Sequence, residues 1–136
     1  MAASKTVVAD TSVIIAVIGG EPERPVLIEM TRGVRLIAPA SVHWEVGNAL
    51  SSMLIRKRIS LDQARAALVA YGKIDIEFVE VSLEESLDLV ARVGGYAYDA
   101  YLVACARARH APLLTLDRGL ARRARAAEVH VLEVGS

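Results

Sequence analysis

The chain has 136 residues, a length typical of one domain with a full hydrophobic core, so we expect a single domain over residues 1–136. Its 16 Lys and Arg residues balance 16 Asp and Glu residues, so any affinity for a polyanion or an anionic membrane must come from local clusters of charge. The only cysteine, Cys105, lies in an apolar run, which excludes a disulfide framework or a cysteine-bound zinc site within the chain and fits a reducing cytoplasm. The apolar stretch from Val7 to Gly20 is interrupted by Asp10 and is too short to span a bilayer, so we predict no membrane association.

Apolar β-branched runs alternate with helical patterns along the chain. Thr6–Ala9 is a continuous run typical of a strand buried in a parallel sheet, and a helix follows it directly. Later strands are predicted at 35–38, 77–81, 112–116 and 129–132. Later helices are predicted at about 26–32, from Pro39 to about residue 58, at 97–109 and at 118–126. Two more are predicted to begin after residue 59 and after residue 81, where Ser-x-x-Gln and Ser-x-x-Glu have the spacing of a capping box. The alternation predicts an α/β fold, a sandwich around a parallel sheet.

Four acidic residues lie in or beside apolar runs: Asp10, Glu45, Asp99 and Asp117. An isolated carboxylate in such surroundings costs several kcal/mol to ionise unless it is paired, hydrogen-bonded or bound to a metal. Asp10 and Asp117 follow predicted strands, and ligand sites in open α/β sheets lie at the carboxyl ends of strands. Since no cation partner is evident for all four, a shared divalent metal site is the simplest explanation.

Glu45 lies within a predicted helix, beside the apolar stripe that includes Val42 and Val46. From that position its side chain can reach inward to meet the two aspartates at the strand ends. The alternative interpretation is that Asp10, Asp99 and Asp117 are ordinary helix N-caps and that Glu45 is a boundary residue that reaches solvent or Arg56. That interpretation leaves a non-catalytic, protein-binding α/β module as the competing function.

Four segments, in this order, resemble the PIN-domain ribonucleases and, more narrowly, the VapC toxins of bacterial toxin-antitoxin pairs. The segments are 8–16 (VADTSVIIA), Pro39 with 45–50 (EVGNAL), 98–104 (YDAYLVA) and 114–117 (LTLD). The resemblance covers nearly the whole chain. It implies a three-layer α/β/α sandwich around a mainly parallel sheet of four to five strands.

The resemblance also implies a catalytic, metal-binding quartet of Asp10, Glu45, Asp99 and Asp117 that holds Mg²⁺ or Mn²⁺. Ser12 and Thr115 match the hydroxyl positions that accompany the quartet, and Asn48 joins them as a supporting residue. No further acid follows Asp117 closely, which leaves one metal or two open. A carboxylate-held metal can activate water and stabilise charge during phosphodiester cleavage, so the implied activity is that of a metal-dependent endoribonuclease.

Three arginines, Arg118, Arg122 and Arg125, fall on one face of the helix that follows Asp117 and could hold RNA phosphates, although a solvated helix face would have the same pattern. For Trp44, packing in the core or at an interface is favoured over stacking on a base. The three histidines share no ligand spacing and receive no role. The resemblance further implies a cognate VapB-like antitoxin and a homodimer, with a heterotetramer or larger assembly in the complex, and a cytoplasmic location.

Overall fold

A five-stranded parallel sheet lies between two layers of helices in the computed structural model, which describes residues 5–134. The strands are β1 (Thr6–Ala9), β2 (Arg35–Pro39), β3 (Ile76–Val79), β4 (Leu113–Leu114) and β5 (Val131–Leu132). The helices are α1 (Thr11–Ile18), α2 (Arg24–Met30), α3 (Ser41–Ile55), α4 (Leu61–Gly72), α5 (Leu83–Val93), α6 (Ala97–Arg109) and α7 (Arg118–Ala126). The predicted α/β/α sandwich is confirmed.

The strand order is β3-β2-β1-β4-β5, and every pairing is parallel. The chain builds β1, β2 and β3 outward in one direction and then returns to add β4 and β5 on the other side of β1. The reversal therefore lies between β1 and β4, which is where open α/β sheets bind their ligands.

Neighbouring residues of β1 and of β4 contribute to different cores, because successive side chains point to opposite faces of the sheet. Val8 and Leu113 belong to a large core that includes residues of α3, α5, α6 and α7. Val7 and Leu114 belong to a smaller core with residues of α1 and α2. Burial on both faces explains why the strands read as continuous apolar runs.

Several predicted boundaries are wrong at their ends. Pro39 ends β2 in register with Val79 instead of starting a helix, so α3 begins at Ser41. The same helix ends at Ile55 because Lys57 has a positive φ of 57°. Strands β4 and β5 each have two residues, fewer than predicted. An apolar run indicates that a segment is buried, but a strand also requires hydrogen bonds to a neighbouring strand.

Two predicted caps are present. Ser60 and Gln63 form a reciprocal capping box at the start of α4, and the Ser82 hydroxyl accepts a hydrogen bond from the Glu85 amide at the start of α5. Cys105 is a free, buried thiol, and burial raises its pKa to about 11, so it behaves as a small apolar side chain. Among the helices formed by residues 5–134, none has the length and apolarity needed to cross a membrane.

Candidate active site

The reversal point of the sheet brings the ends of β1 and β4 together. Ala9 pairs with Leu114, and the Asp10 amide donates a hydrogen bond to the Leu114 carbonyl at 3.0 Å. Asp10 and Thr115, the residues that directly follow this pair, therefore lie side by side. Two residues 105 positions apart in the sequence are fixed as neighbours by the parallel register.

Asp10 is only 6% exposed, and hydrogen bonds surround its carboxylate. Oδ1 accepts from the Thr11 amide at 2.7 Å, while Oδ2 accepts from the Ser12 and Thr115 hydroxyls, both at 2.7 Å. Within the described part of the chain, no Lys, Arg or His side chain forms an ion pair with it. A nearly buried carboxylate is thus held by neutral donors, an arrangement that leaves its charge available to a bound cation.

The two hydroxyl groups also connect the strand ends to each other. Ser12 Oγ accepts a hydrogen bond from the Leu116 amide at 3.0 Å, and Thr115 Oγ1 accepts one from the Asp117 amide at 3.0 Å. Each hydroxyl therefore donates to Asp10 and accepts from the loop that follows β4. This network fixes the position of Asp117 relative to Asp10.

The cap interpretation holds for two of the aspartates. Asp10 is the N-cap of α1, and Asp117 is the N-cap of α7, with its Oδ1 accepting from the Leu120 amide at 3.1 Å. For Asp99 it is wrong: α6 begins at Ala97 with Tyr96 as its N-cap, so Asp99 lies in the first turn. Its carboxylate pairs with Arg123, whose Nη1 donates to Oδ2 at 3.2 Å.

Glu45 reaches inward from α3, as predicted from its position beside the apolar stripe. Its Oε2 accepts a hydrogen bond from the Thr11 hydroxyl at 3.0 Å, which places it next to the start of α1. Its Oε1 is buried and has no hydrogen-bond partner. An unpartnered buried carboxylate oxygen is unfavourable, so this atom is free to accept from a further donor or to bind a cation.

The charges of neighbouring acids contribute to the pKa shifts of Glu45 and Asp99. Burial raises the pKa of Glu45, the hydrogen bond from Thr11 opposes that shift, and the charges of Asp10 and Asp99 raise the pKa further. Burial also raises the pKa of Asp99, as do the charges of Asp117 and Asp10, while Arg123 acts in the opposite direction. Each acid is therefore close enough to at least one other to feel its charge.

The donor set fits a hard divalent ion. Every contributing group is a carboxylate or hydroxyl oxygen, and Glu45 Oε1 lacks a partner. Within residues 5–134, no three His, Cys, Asp or Glu side chains are arranged so that they could hold a metal ion together. Mg²⁺ is commonly held by one or two carboxylates and keeps several waters, so a group of three protein ligands is not required.

An open groove of about 560 Å³ adjoins one side of the acidic residues. It is lined by Arg118, Arg122 and Arg125, together with Asp117 and Thr115. We call it the arginine groove. The predicted stripe of arginines therefore faces a real depression next to two site residues, although Arg125 also pairs with Glu133 at 3.7 Å.

The other predicted residues lie at or outside the edge of this site. Asn48 is exposed on α3, and the hydrogen bonds described for the four acids do not include it. Trp44 is 75% exposed, so it does not pack in the core, and packing at an interface stays a prediction. His43 contacts the Tyr71 hydroxyl at 2.9 Å, away from the acids. Arg123 and Thr11 were not predicted as site residues. The only signal for Arg123 was the basic composition of α7, and the only signal for Thr11 was its hydroxyl next to Asp10.

We expect the substitution Glu45→Gln to stabilise the metal-free protein at neutral pH. The raised pKa of Glu45 means that folding favours its protonated form, so its contribution to stability is present at acid pH and is lost as pH rises through the folded-state pKa. Glutamine mimics the protonated form and should raise Tm by about 2 to 5 °C at pH 7 in EDTA, with the difference disappearing at acid pH. The exposed Glu80→Gln is the matched control, and a lower Tm for Glu45→Gln at pH 7 would contradict the argument.

Comparison with known proteins places the chain in a family. The PIN domain family model matches residues 7–126. Among solved structures, PAE2754 from Pyrobaculum aerophilum superposes with a TM-score of 0.69 at 22% identity, over 88% of this chain and 79% of that one. VapBC2 from Rickettsia felis, bound to a DNA fragment from its promoter, gives a TM-score of 0.64 at 14% identity, over 93% of this chain and 97% of that one. No curated protein matches.

The fold and the site define an α/β/α protein with an acidic centre at the carboxyl edge of its parallel sheet. The chain belongs to the PIN domain family. Asp10 and Asp117, near the two ends of the matched region, are the acids that follow β1 and β4.

Proposed function

We propose that this protein is a metal-dependent endoribonuclease that acts in the cytoplasm as the toxin of a toxin-antitoxin pair. The observation that carries the proposal is the buried, unpartnered Oε1 of Glu45, a carboxylate whose pKa is raised by burial and by Asp10 and Asp99. A bound cation would give this oxygen a partner and would offset the cost of burying its charge.

Asp10 and Asp99 are the proposed principal ligands of Mg²⁺ or Mn²⁺, with Glu45 and Asp117 completing the shell or orienting water. The bound metal would supply an activated water and stabilise negative charge on the phosphoryl and leaving oxygens. The protein's own groups prepare the site. Ser12 and Thr115 fix the Asp10 carboxylate through hydrogen bonds, and Thr11 fixes one oxygen of Glu45.

The arginine groove is the proposed binding surface for RNA phosphates. We expect the double substitution of Arg118 and Arg122 by Gln to weaken RNA binding and to reduce the slope of log K against log salt by about 0.7 for each lost phosphate contact, with little change in kcat. Arg65→Gln is the matched control, because Arg65 is exposed on α4 and pairs only with Asp62 at 3.7 Å. An unchanged salt slope for the double variant would show that the arginine groove does not bind RNA phosphates.

A VapB-like antitoxin is the proposed partner. The support is the PIN domain match together with the structural likeness to the VapBC2 complex. Exposed apolar side chains at the end of α3 and along α4 offer a surface for such a partner or for a second copy in a homodimer; they are Ile55, Leu61, Leu68 and Val69. We propose a heterotetramer or larger assembly with the antitoxin.

The alternative, a binding module in which the acids only cap helices, is disfavoured by two residues. Asp99 caps no helix, and Glu45 lies inside α3 with a buried oxygen that lacks a partner. Caps would account for Asp10 and Asp117 alone.

The test is incubation of the purified protein, freed of any antitoxin, with total RNA in Mg²⁺ or Mn²⁺ and in EDTA. We expect discrete fragments that require the metal, and mapping their ends would identify the RNA that is cut. Identical RNA with metal and with EDTA, over a range of metal concentrations, would refute the proposed activity.

A further inference from the structure

A guanidinium group already occupies part of the acidic centre. Arg123 is half-buried, with a side-chain exposure of 34%, and its Nη1 lies 3.2 Å from Asp99 Oδ2. It belongs to α7, the helix capped by Asp117. Arg123 does not line the arginine groove, although Arg122 and Arg125 on either side of it do. The arginines of α7 therefore lie in two different environments: Arg122 and Arg125 line the arginine groove, and Arg123 contacts Asp99.

Two glycines leave the space through which Arg123 reaches the acids. Gly95, in the loop before α6, has a φ of +88°, and a Cβ there would lie 2.6 Å from Arg123 Nε and 2.8 Å from its Cδ. A Cβ at Gly119 would lie 3.3 Å from both Arg123 Nη1 and Asp117 Oδ1. The side chain of Arg123 thus passes close to the backbone at Gly95, and its guanidinium ends at Asp99, with Nη1 also near Gly119.

We propose that Arg123 is a built-in counter-ion of the metal-free site that competes with the divalent metal for Asp99. This inference rests on the proposed function. A monovalent cation at Asp99 Oδ2 both occupies a ligand oxygen and repels a second cation, so metal binding requires the ion pair to open. Arg123 thereby raises the metal concentration at which the site fills. It acts on the metal through Asp99, and is therefore a positioning residue and not a ligand.

The test is calorimetric titration of Mn²⁺ into four forms of the full chain: wild type, Arg123→Gln, Arg123→Lys and Arg125→Gln. Removing the competing charge should tighten Mn²⁺ binding by about five- to tenfold in Arg123→Gln. Arg123→Lys keeps the charge and should stay near the wild-type affinity, which also separates loss of charge from loss of packing. Arg125→Gln removes an equal charge from the same helix, where it pairs with Glu133 and not with the acids, and should change the affinity by less than about twofold.

The outcomes separate this inference from the proposed function. Tighter binding in Arg123→Gln alone supports it. If wild type binds Mn²⁺ and Arg123→Gln binds it equally or more weakly, Arg123 does not compete, and the proposed metal site stands without this feature. If none of the four forms binds Mn²⁺, the metal site and the competition at it both fail. Circular dichroism of each form verifies that the binding data refer to folded protein.

Discussion

The substitution Asp10→Asn is expected to reduce metal-dependent RNA cleavage by about a thousandfold, since it removes the central carboxylate charge of the site. Asp10 is nearly buried and directly follows β1, where three donors fix its orientation. Asparagine has the same shape and keeps one acceptor oxygen, so the fold should persist while the negative charge is lost. The measurement is the initial rate of RNA cleavage at saturating Mn²⁺, together with a circular dichroism spectrum.

The matched control for this prediction is Asp62→Asn. Asp62 is exposed in the first turn of α4 and faces Arg65 at 3.7 Å, a surface pair that contributes at most about 1 kcal/mol. The control variant should cleave RNA at the wild-type rate. If Asp10→Asn and Asp62→Asn cleave equally well, the carboxylate of Asp10 has a structural role only.

The substitution Thr115→Val is expected to lower the free energy of unfolding by about 2 to 4 kcal/mol. Valine fills the same volume in this buried position but lacks the hydroxyl that donates to Asp10 Oδ2 and accepts from the Asp117 amide. The Asp117 amide is left without its side-chain acceptor, and a carboxylate that is 6% exposed loses a donor. Urea denaturation at pH 7 measures the change.

Thr31→Val is the control for Thr115→Val, because it removes a hydroxyl at a site without carboxylates. The Thr31 hydroxyl donates to the Leu27 carbonyl at 2.7 Å at the end of α2. Its loss should reduce the free energy of unfolding by about 1 kcal/mol. Equal effects at both positions would show that Thr115 contributes no more than an ordinary hydrogen bond, which contradicts the proposed role of its hydroxyl in supporting Asp10.

The carboxyl edge of the sheet was predictable from the sequence because burial on both faces leaves a distinctive apolar run, although β4 ends at Leu114 and not at the predicted residue 116. The run at Thr6–Ala9 placed Asp10 at the carboxyl edge of the sheet, and the run before Asp117 did the same for β4. Parallel pairing then determines that the two edges meet. Periodicity placed Glu45 beside a buried stripe, from which it could reach the two aspartates, and the resemblance to PIN domains gave it a role in the quartet.

The partner of Asp99 was not predictable, because nothing local distinguishes Arg123 from the other arginines of α7. The spacing of Arg118, Arg122 and Arg125 predicted that they lie on one face of α7, and all three line the arginine groove. Arg123 points elsewhere because Gly95, which lies 28 positions earlier, leaves room for its side chain. Such contacts depend on tertiary packing. The sequence could not separate core from interface packing for Trp44 for the same reason, since an aromatic next to a buried stripe can face either way.

The most direct test of the acidic metal site is an anomalous difference map from crystals of the antitoxin-free protein soaked in Mn²⁺. We predict a peak within ligand distance of the Asp10 and Asp99 carboxylates, with Glu45 Oε1 directed toward it or toward a water bound to it. Arg123 should have moved away from Asp99. A map from fully soaked crystals with no Mn²⁺ peak near these carboxylates, or with peaks only at exposed surface acids, would contradict the assignment of the quartet as a metal centre.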